Sequence, residues 1–272
     1  MNEAPIGMFD SGIGGLTVMK AVMRRLPNES ICYFGDNARG PYGPRDIKEI
    51  RRFALEIAAF LENLGVKLIV IACNSATSAG LLEVQRSCGV PVLGVVEPGA
   101  RGAVQATHNR RIGVIGTVAT IHSRAYLKAI HALDAGAKVH SRACPSLVGF
   151  VERGEVEGPR IEEEVSLYLS PLGKREVDTL VLGCTHYPLI TEVIGKVAGE
   201  DVSLISSDWE VAREVEENLV RRGYLRDSTR PPSYRFMCSG DIGQAIALGR
   251  MFLGPEVEKV EKVELIEGWT RS

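Results

Sequence analysis

Short apolar runs alternate with amphipathic stretches along most of the chain. Runs at 6–9, 31–34, 68–72 and 92–96 are bounded by Gly, Pro, Asn or Asp and predict β-strands. Between the first two, Leu16, Met19, Met23 and Leu26 recur at helical spacing. Between the second and third, Ile47, Ile50, Ala54, Ile57, Leu61 and Leu64 do the same. Strands alternating with helices predict βαβ units around a buried parallel sheet.

The plan then repeats. Apolar runs at 112–115, 137–140, 179–183 and 202–205 start 106, 106, 111 and 110 residues after their counterparts. Offsets so nearly constant predict an α/β fold of two similar doubly wound parallel-sheet domains, related by internal pseudo-symmetry, with a site in the cleft between them. Two unrelated domains are the alternative, because βαβ spacings are naturally similar. Beyond 205 a helix marked by Val211, Ala212, Val215 and Leu219 stops at Gly223. A polar linker at 227–232 leads to a strand at 234–238, a helix at 242–253 and a strand at 260–266. These 67 residues are few for a third domain. The tail is therefore expected to fold back on the first half, giving domains of 1–97 with 207–272, and 98–206.

Composition narrows the class. Hydrophobic residues at 45% and charged residues at 24% of 272 positions exclude a disordered or fibrous chain. Lys plus Arg number 32 against 34 for Asp plus Glu, and a net charge of -2 gives no broad attraction to nucleic acid. The longest apolar run, 68–73, falls far short of the roughly 18 residues that suggest a membrane span. Met1-Asn2-Glu3-Ala4-Pro5 carries no export signal. A cytoplasmic protein with no nucleic-acid or membrane partner is expected, and its six cysteines should be reduced. No Cys-x-x-Cys occurs, so most are read as small buried hydrophobes.

Two of them stand apart. The third strand of each half ends in a cysteine followed by small polar residues, Ala72-Cys73-Asn74-Ser75 and Gly183-Cys184-Thr185-His186. Ligands of open parallel sheets sit beyond the carboxyl ends of strands, and a following helix N-terminus favours a thiolate. That help matters, because a free cysteine near pKa 8.5 is only about 3% ionised at pH 7. A single strand-end cysteine is ordinarily inert core. Two at equivalent places, facing each other across a cleft, suit removing a proton from one face of a carbon and delivering one to the other. Cys32, Cys88, Cys144 and Cys238 lack this pairing. His186 can serve Cys184 as base and orienter, or simply bond to backbone at a helix start. Zinc ligation lacks a second suitably spaced Cys/His pair, so no metal is expected.

The first strand runs into Asp10-Ser11-Gly12-Ile13-Gly14-Gly15, a glycine-rich turn whose amides would face an anion. Asp36 sits where a ribose-binding acid would, which opens a dinucleotide reading. Against it, Thr17 replaces the third fingerprint glycine, and Asp10 would set a carboxylate beside the phosphates. An amino-acid carboxylate fits those amides better, leaving Asp10 to accept a proton or hold an ammonium. Tyr42 and Gly43, in tight turns after the second strand, are candidates for the same cleft. So are Thr117 and Thr120, which follow the fifth strand where Ser11 and Gly14 follow the first. Turn chemistry and helix capping are their simpler readings.

Asp10-Ser11-Gly12-Ile13-Gly14-Gly15, Pro41-Tyr42-Gly43, Cys73-Asn74-Ser75 and Gly183-Cys184-Thr185-His186-Tyr187-Pro188 together resemble the glutamate racemase family, over nearly the whole chain. One departure is Ser75-Ala76-Thr77, where the family more often has Thr-Ala-Ser; a hydroxyl is kept. The resemblance implies a cofactor-independent interconversion of L- and D-glutamate that supplies D-glutamate to bacterial peptidoglycan. It implies Cys73 and Cys184 as the two acid/bases, with Asp10 assisting the first and His186 the second. Asp10, Ser11, Tyr42, Gly43, Asn74, Ser75, Thr185 and His186 would surround the substrate. It further implies a homodimer and, for some members, activation by a cell-wall precursor. A two-thiol aspartate racemase and a non-catalytic amino-acid-binding protein are the rival readings.

Overall fold

The computed structural model describes residues 2–265. The first half runs β1 (Ile6–Asp10), α1 (Leu16–Arg25), β2 (Ile31–Gly35), α2 (Ile47–Asn63), β3 (Leu68–Ile71), α3 (Asn74–Ser87) and β4 (Val92–Gly94). Next come α4 (Val96–Ala106), β5 (Arg111–Gly116), α5 (Val118–Ser123), α6 (Ala125–Leu133), β6 (Lys138–Ala143), α7 (Ser146–Glu152), α8 (Pro159–Gly173) and β7 (Thr179–Gly183). A 3-10 turn (Tyr187–Ile190), α9 (Thr191–Ala198) and β8 (Ser203–Ile205) close the second half. The tail contributes α10 (Asp208–Arg222), β9 (Tyr234–Cys238), α11 (Ile242–Phe252) and β10 (Val260–Lys262).

Every strand pair is parallel. One sheet has the order β10-β9-β2-β1-β3-β4 and the other β6-β5-β7-β8. Without the tail strands both orders read second, first, third, fourth, so the repeat in the sequence is a repeat of topology. β9 pairs with β2, Ile31 opposite Tyr234, and thereby joins the tail to the first sheet.

The strands form where the sequence is apolar on both faces. β1, β2, β3 and β7 are buried at every position, which is why they read as unbroken runs rather than alternating ones. β6 lies at an edge and carries exposed Lys138, Ser141 and Arg142, charges that discourage pairing with another chain. It continues to Ala143, past the expected end at 140, because those polar residues hide it from a search for apolar runs. β4 stops at Gly94 rather than 96, since α4 takes up Val96. Of the strand expected at 260–266, Val260–Lys262 forms, and position 266 lies outside the described residues.

Leu16, Met19 and Val22 of α1 pack with Val211, Val215 and Leu219 of α10 on one face of the first sheet. Phe34, Ile50, Ile57 and Ile69 fill the other. Each such side chain contributes about 1.5–3 kcal/mol by leaving water. Helix ends follow their local chemistry. Asp46 accepts from the Lys48 amide at 2.8 Å to cap α2, and α10 ends at Gly223 with a φ of 66°. Register aligns the chemistry: Phe9 lies opposite Ile71 and Gly116 opposite Gly183, so in each sheet the central strands end level, with Cys73 and Cys184 just beyond. Among the described residues no helix is long and apolar enough to cross a membrane, and no two cysteines form a disulfide.

Candidate active site

The halves meet at the carboxyl ends of their strands. Thr17 Oγ1 donates to the Thr185 carbonyl at 3.3 Å, and the Ala119 amide donates to the Gly43 carbonyl at 2.9 Å. The Tyr126 hydroxyl donates to Asn74 Oδ1 at 2.7 Å, and Ser75 Oγ lies 2.8 Å from Thr117 Oγ1. Two glycines permit this approach. A Cβ at Gly14 would stand 2.6 Å from Cε1 and Nδ1 of His186, and one at Gly43 would stand 2.9 Å from Thr117 Cβ.

These contacts surround a cavity of about 390 Å³, a size usual for small-molecule sites. Ser11, Tyr42, Gly43, Cys73, Asn74, Ser75, Thr117, Cys184, Thr185 and His186 all line it. Asp10 and Thr120 stand behind the wall instead. Asp10 is fully buried; its Oδ2 accepts from the Gly15 amide at 3.0 Å, while Oδ1 has no hydrogen-bond partner. Thr120 Oγ1 accepts from Thr117 Oγ1 at 3.0 Å and so orients a hydroxyl that does reach the cavity. The Tyr42 ring lines the wall, but its hydroxyl donates to Asp36. Asp36 also accepts from Arg39 Nε and Ser239 Oγ, each at 2.7 Å. Its carboxylate is thus committed to holding the 36–43 loop against the tail, which removes the ribose-binding role that a dinucleotide site requires.

The two thiols differ in their surroundings. Cys73 caps α3, its Sγ accepting from the Ala76 amide at 3.4 Å and from Ser11. A helix N-terminus by itself favours a thiolate there. Burial outweighs it and pushes the thiol up, and the Asp10 charge adds to the effect, so Cys73 is protonated at neutral pH. Behind Cys184 there is no α-helix start but the 3-10 turn, and the dipole expected at that thiol is missing. His186 takes its place, with Nδ1 3.8 Å from Cys184 Sγ and Nε2 3.2 Å from Glu152 Oε1. Burial alone lowers an imidazole. Here the hydrogen bonds to Cys184 and Glu152, with the charges of Cys184 and Asp10, overcome it and raise His186 to about 10.

Glu152 is the functional candidate that the sequence pattern did not single out. It ends α7, whose buried Leu147 and Val151 fix the helix against the second-half core. In the sequence it is one acid among Glu152, Glu155 and Glu157, with nothing to distinguish it until α7 docks beside the 3-10 turn. Gln244 and Leu248 of α11 also line the cavity, brought there by the tail.

The chain is similar to known proteins over nearly its whole length. The sequence model of the Asp/Glu/Hydantoin racemase family matches residues 9–215. A glutamate racemase of Parafrankia sp. is 51% identical over 96% of this chain and 94% of its own. The crystal structure of a Bacillus anthracis glutamate racemase isoform superposes with a TM-score of 0.94 at 44% identity, covering 97% of this chain and 99% of that one. Glutamate racemase of Francisella tularensis, solved in complex with D-glutamate, gives 0.92 at 38% identity, with 97% and 99% coverage. By sequence along nearly its whole length, and by the superposition of both its sheets, the chain belongs to the Asp/Glu/hydantoin racemase family.

Proposed function

We propose that this racemase interconverts L- and D-glutamate in the cytoplasm without a cofactor, using Cys73 and Cys184 as its two acid/bases and supplying D-glutamate for peptidoglycan. What carries this is that the two thiols, one from each half of a repeated fold, line a single cavity. The D-glutamate held by the Francisella tularensis relative supports the choice of substrate. We take 1–97 with 207–272 as one domain and 98–206 as the other, with the substrate between them.

The α-hydrogen of an amino acid is a very weak acid. A carbanion-like state must be stabilised by fixed donors around the substrate carboxylate in a cleft that excludes water. Ser11, Asn74, Ser75 and Thr185 supply donors on both sides of the cavity. In one direction the Cys184 thiolate, with the His186 imidazolium as counter-charge, takes the α-proton and becomes a thiol. Cys73 gives its own proton to the opposite face and becomes the thiolate. Burial keeps Cys73 protonated and the charged imidazole lies at Cys184, an asymmetry that favours this direction. The other enantiomer uses the reverse assignment. Asp10, whose Oδ1 has no other partner, is placed to accept a hydrogen bond from the Cys73 thiol or from the substrate ammonium.

Circular dichroism of pure L- and pure D-glutamate, with protein and no added cofactor, tests the proposal. Decay of both signals to zero is expected. No decay with either enantiomer would sink it, and decay with aspartate alone would move the substrate.

A further inference from the structure

His186 is held partly by the tail. Nδ1 faces Cys184 Sγ at 3.8 Å and Thr185 Oγ1 at 3.5 Å, and Nε2 faces Glu152. The ring of Phe252 stands nearly perpendicular to the imidazole, at 85° between planes and 5.4 Å between centroids. Phe252 is the last residue of α11 and is 2% exposed. Ala245, Leu248 and Phe252 recur along one helical face, and all three are buried. A helix joined to the first sheet through β9 and β10 thus sets one ring of its apolar face against His186 of the second half.

The polar contacts of His186 leave its tilt open. A sulfur contact at 3.8 Å is long and tolerant in direction. The Glu152 side chain is partly in solvent. Gly14 closes one flank, since a Cβ there would stand 2.6 Å from Cε1 and Nδ1. Perpendicular pairs are a favoured arrangement of aromatic quadrupoles, so Phe252 supplies an orienting wall. Without it the second torsion of the imidazole, broad in its own preference, is free to swing Nδ1 off the sulfur.

We infer, resting on the proposed assistance of Cys184 by His186, that Phe252 is a positioning residue for proton transfer at Cys184. The tail helix is thereby part of the machinery of one thiol and not of the other. Misplacing the imidazole slows the step at Cys184 whether that residue takes the proton or returns it. Because enantiomers have equal free energy, kcat/KM must fall equally in both directions. The asymmetry appears in isotope effects, which report whether removal of the α-proton or its return limits the rate.

The test compares α-deuterated L- and D-glutamate on the full-length protein and its variants. Phe252→Leu removes the ring and keeps apolar bulk, and Phe252→Tyr keeps the ring. Ile246→Ala loosens the same helix at a partly buried position, and His186→Asn checks the underlying assistance. A positioned acid/base supplies about 10²–10⁴ in rate, so partial misplacement in Phe252→Leu is expected to cost roughly tenfold in kcat/KM. The primary isotope effect should rise for the enantiomer that Cys184 deprotonates and fall for the other. Phe252→Tyr and Ile246→Ala should keep the wild-type balance. Should Phe252→Leu not fold, Phe252→Met carries the same expectation. Equal changes for both enantiomers, or none, in a folded Phe252 variant overturn the inference when His186→Asn is skewed. Balanced isotope effects in His186→Asn itself overturn the assistance of Cys184, and the positioning role with it.

Discussion

The Tyr126 hydroxyl donates a 2.7 Å hydrogen bond to Oδ1 of Asn74, tying α6 of the second half to the residue that follows Cys73 in the first. Both groups are buried, and the Asn74 carboxamide lines the cavity. Tyr126→Phe leaves that carbonyl without its partner at a cost of about 1 kcal/mol, or roughly fivefold. KM for glutamate is expected to rise by that factor with kcat changed less. Steady-state kinetics in both directions measure it, and an unchanged KM would mean that substrate does not feel this bond.

In the proposed mechanism each thiol serves one face of the substrate carbon. Cys73→Ala and Cys184→Ala should each lose at least about 10²–10⁴ of the racemisation rate, the worth of one acid/base. Both cavity edges are small side chains at strand ends, so far-ultraviolet circular dichroism should be unchanged. In D₂O each variant should still wash the α-proton out of one enantiomer without inverting it, and the two variants should choose opposite enantiomers. Near-normal racemisation in either would exclude the two-thiol scheme.

His186, raised to about 10, keeps its charge below that pH and loses it above. Glu152 is one cause of the rise, so Glu152→Gln lowers the pKa of the imidazole. The alkaline limb of the kcat profile should move to lower pH by about one unit, the lower end of what a nearby opposite charge does. An alkaline limb that stays in place would show that Glu152 does not hold the imidazolium.

Gly14 tests how tightly the halves must close. The Cβ in Gly14→Ala would fall 2.6 Å from His186 and from Thr185 Oγ1, contacts on the opposite half rather than within its own. The first sheet should fold normally, with a melting temperature near wild type, while kcat/KM falls by about 10²-fold, as misplacement of about an ångström does. A variant of full activity would mean that the halves have room to separate during turnover.

Much of the fold was legible because strands buried on both faces appear as unbroken apolar runs, as in 68–72 and 179–183. β6 was blurred because an edge strand carries Lys138, Ser141 and Arg142 outward. The strand-end cysteines and the glycine-rich turn were legible for a related reason: parallel strands bring their carboxyl ends to one rim, whatever the rest of the chain does. Depth within the site was not. Asp10 and Thr120 lie behind the wall, and the Tyr42 hydroxyl turns to Asp36, because those outcomes depend on rotamers and on hydrogen bonds to distant residues. Glu152 and Phe252 gave no local signal at all. Each sits at the end of an ordinary amphipathic helix, and only docking of α7 and α11 brings it to His186.

Because β9 pairs with β2, and β10 with β9, the second sheet is an insertion within the first. During synthesis β5 to β8 leave the ribosome before β9 exists, and domains tend to fold as they emerge. Both sulfur atoms can then be seated in folded surroundings while the imidazole still waits for α11. A nascent chain, or one clipped ahead of Ile242, would hold Cys73 and Cys184 without Gln244, Leu248 and Phe252, so arrival of the tail is the last event in building the pocket.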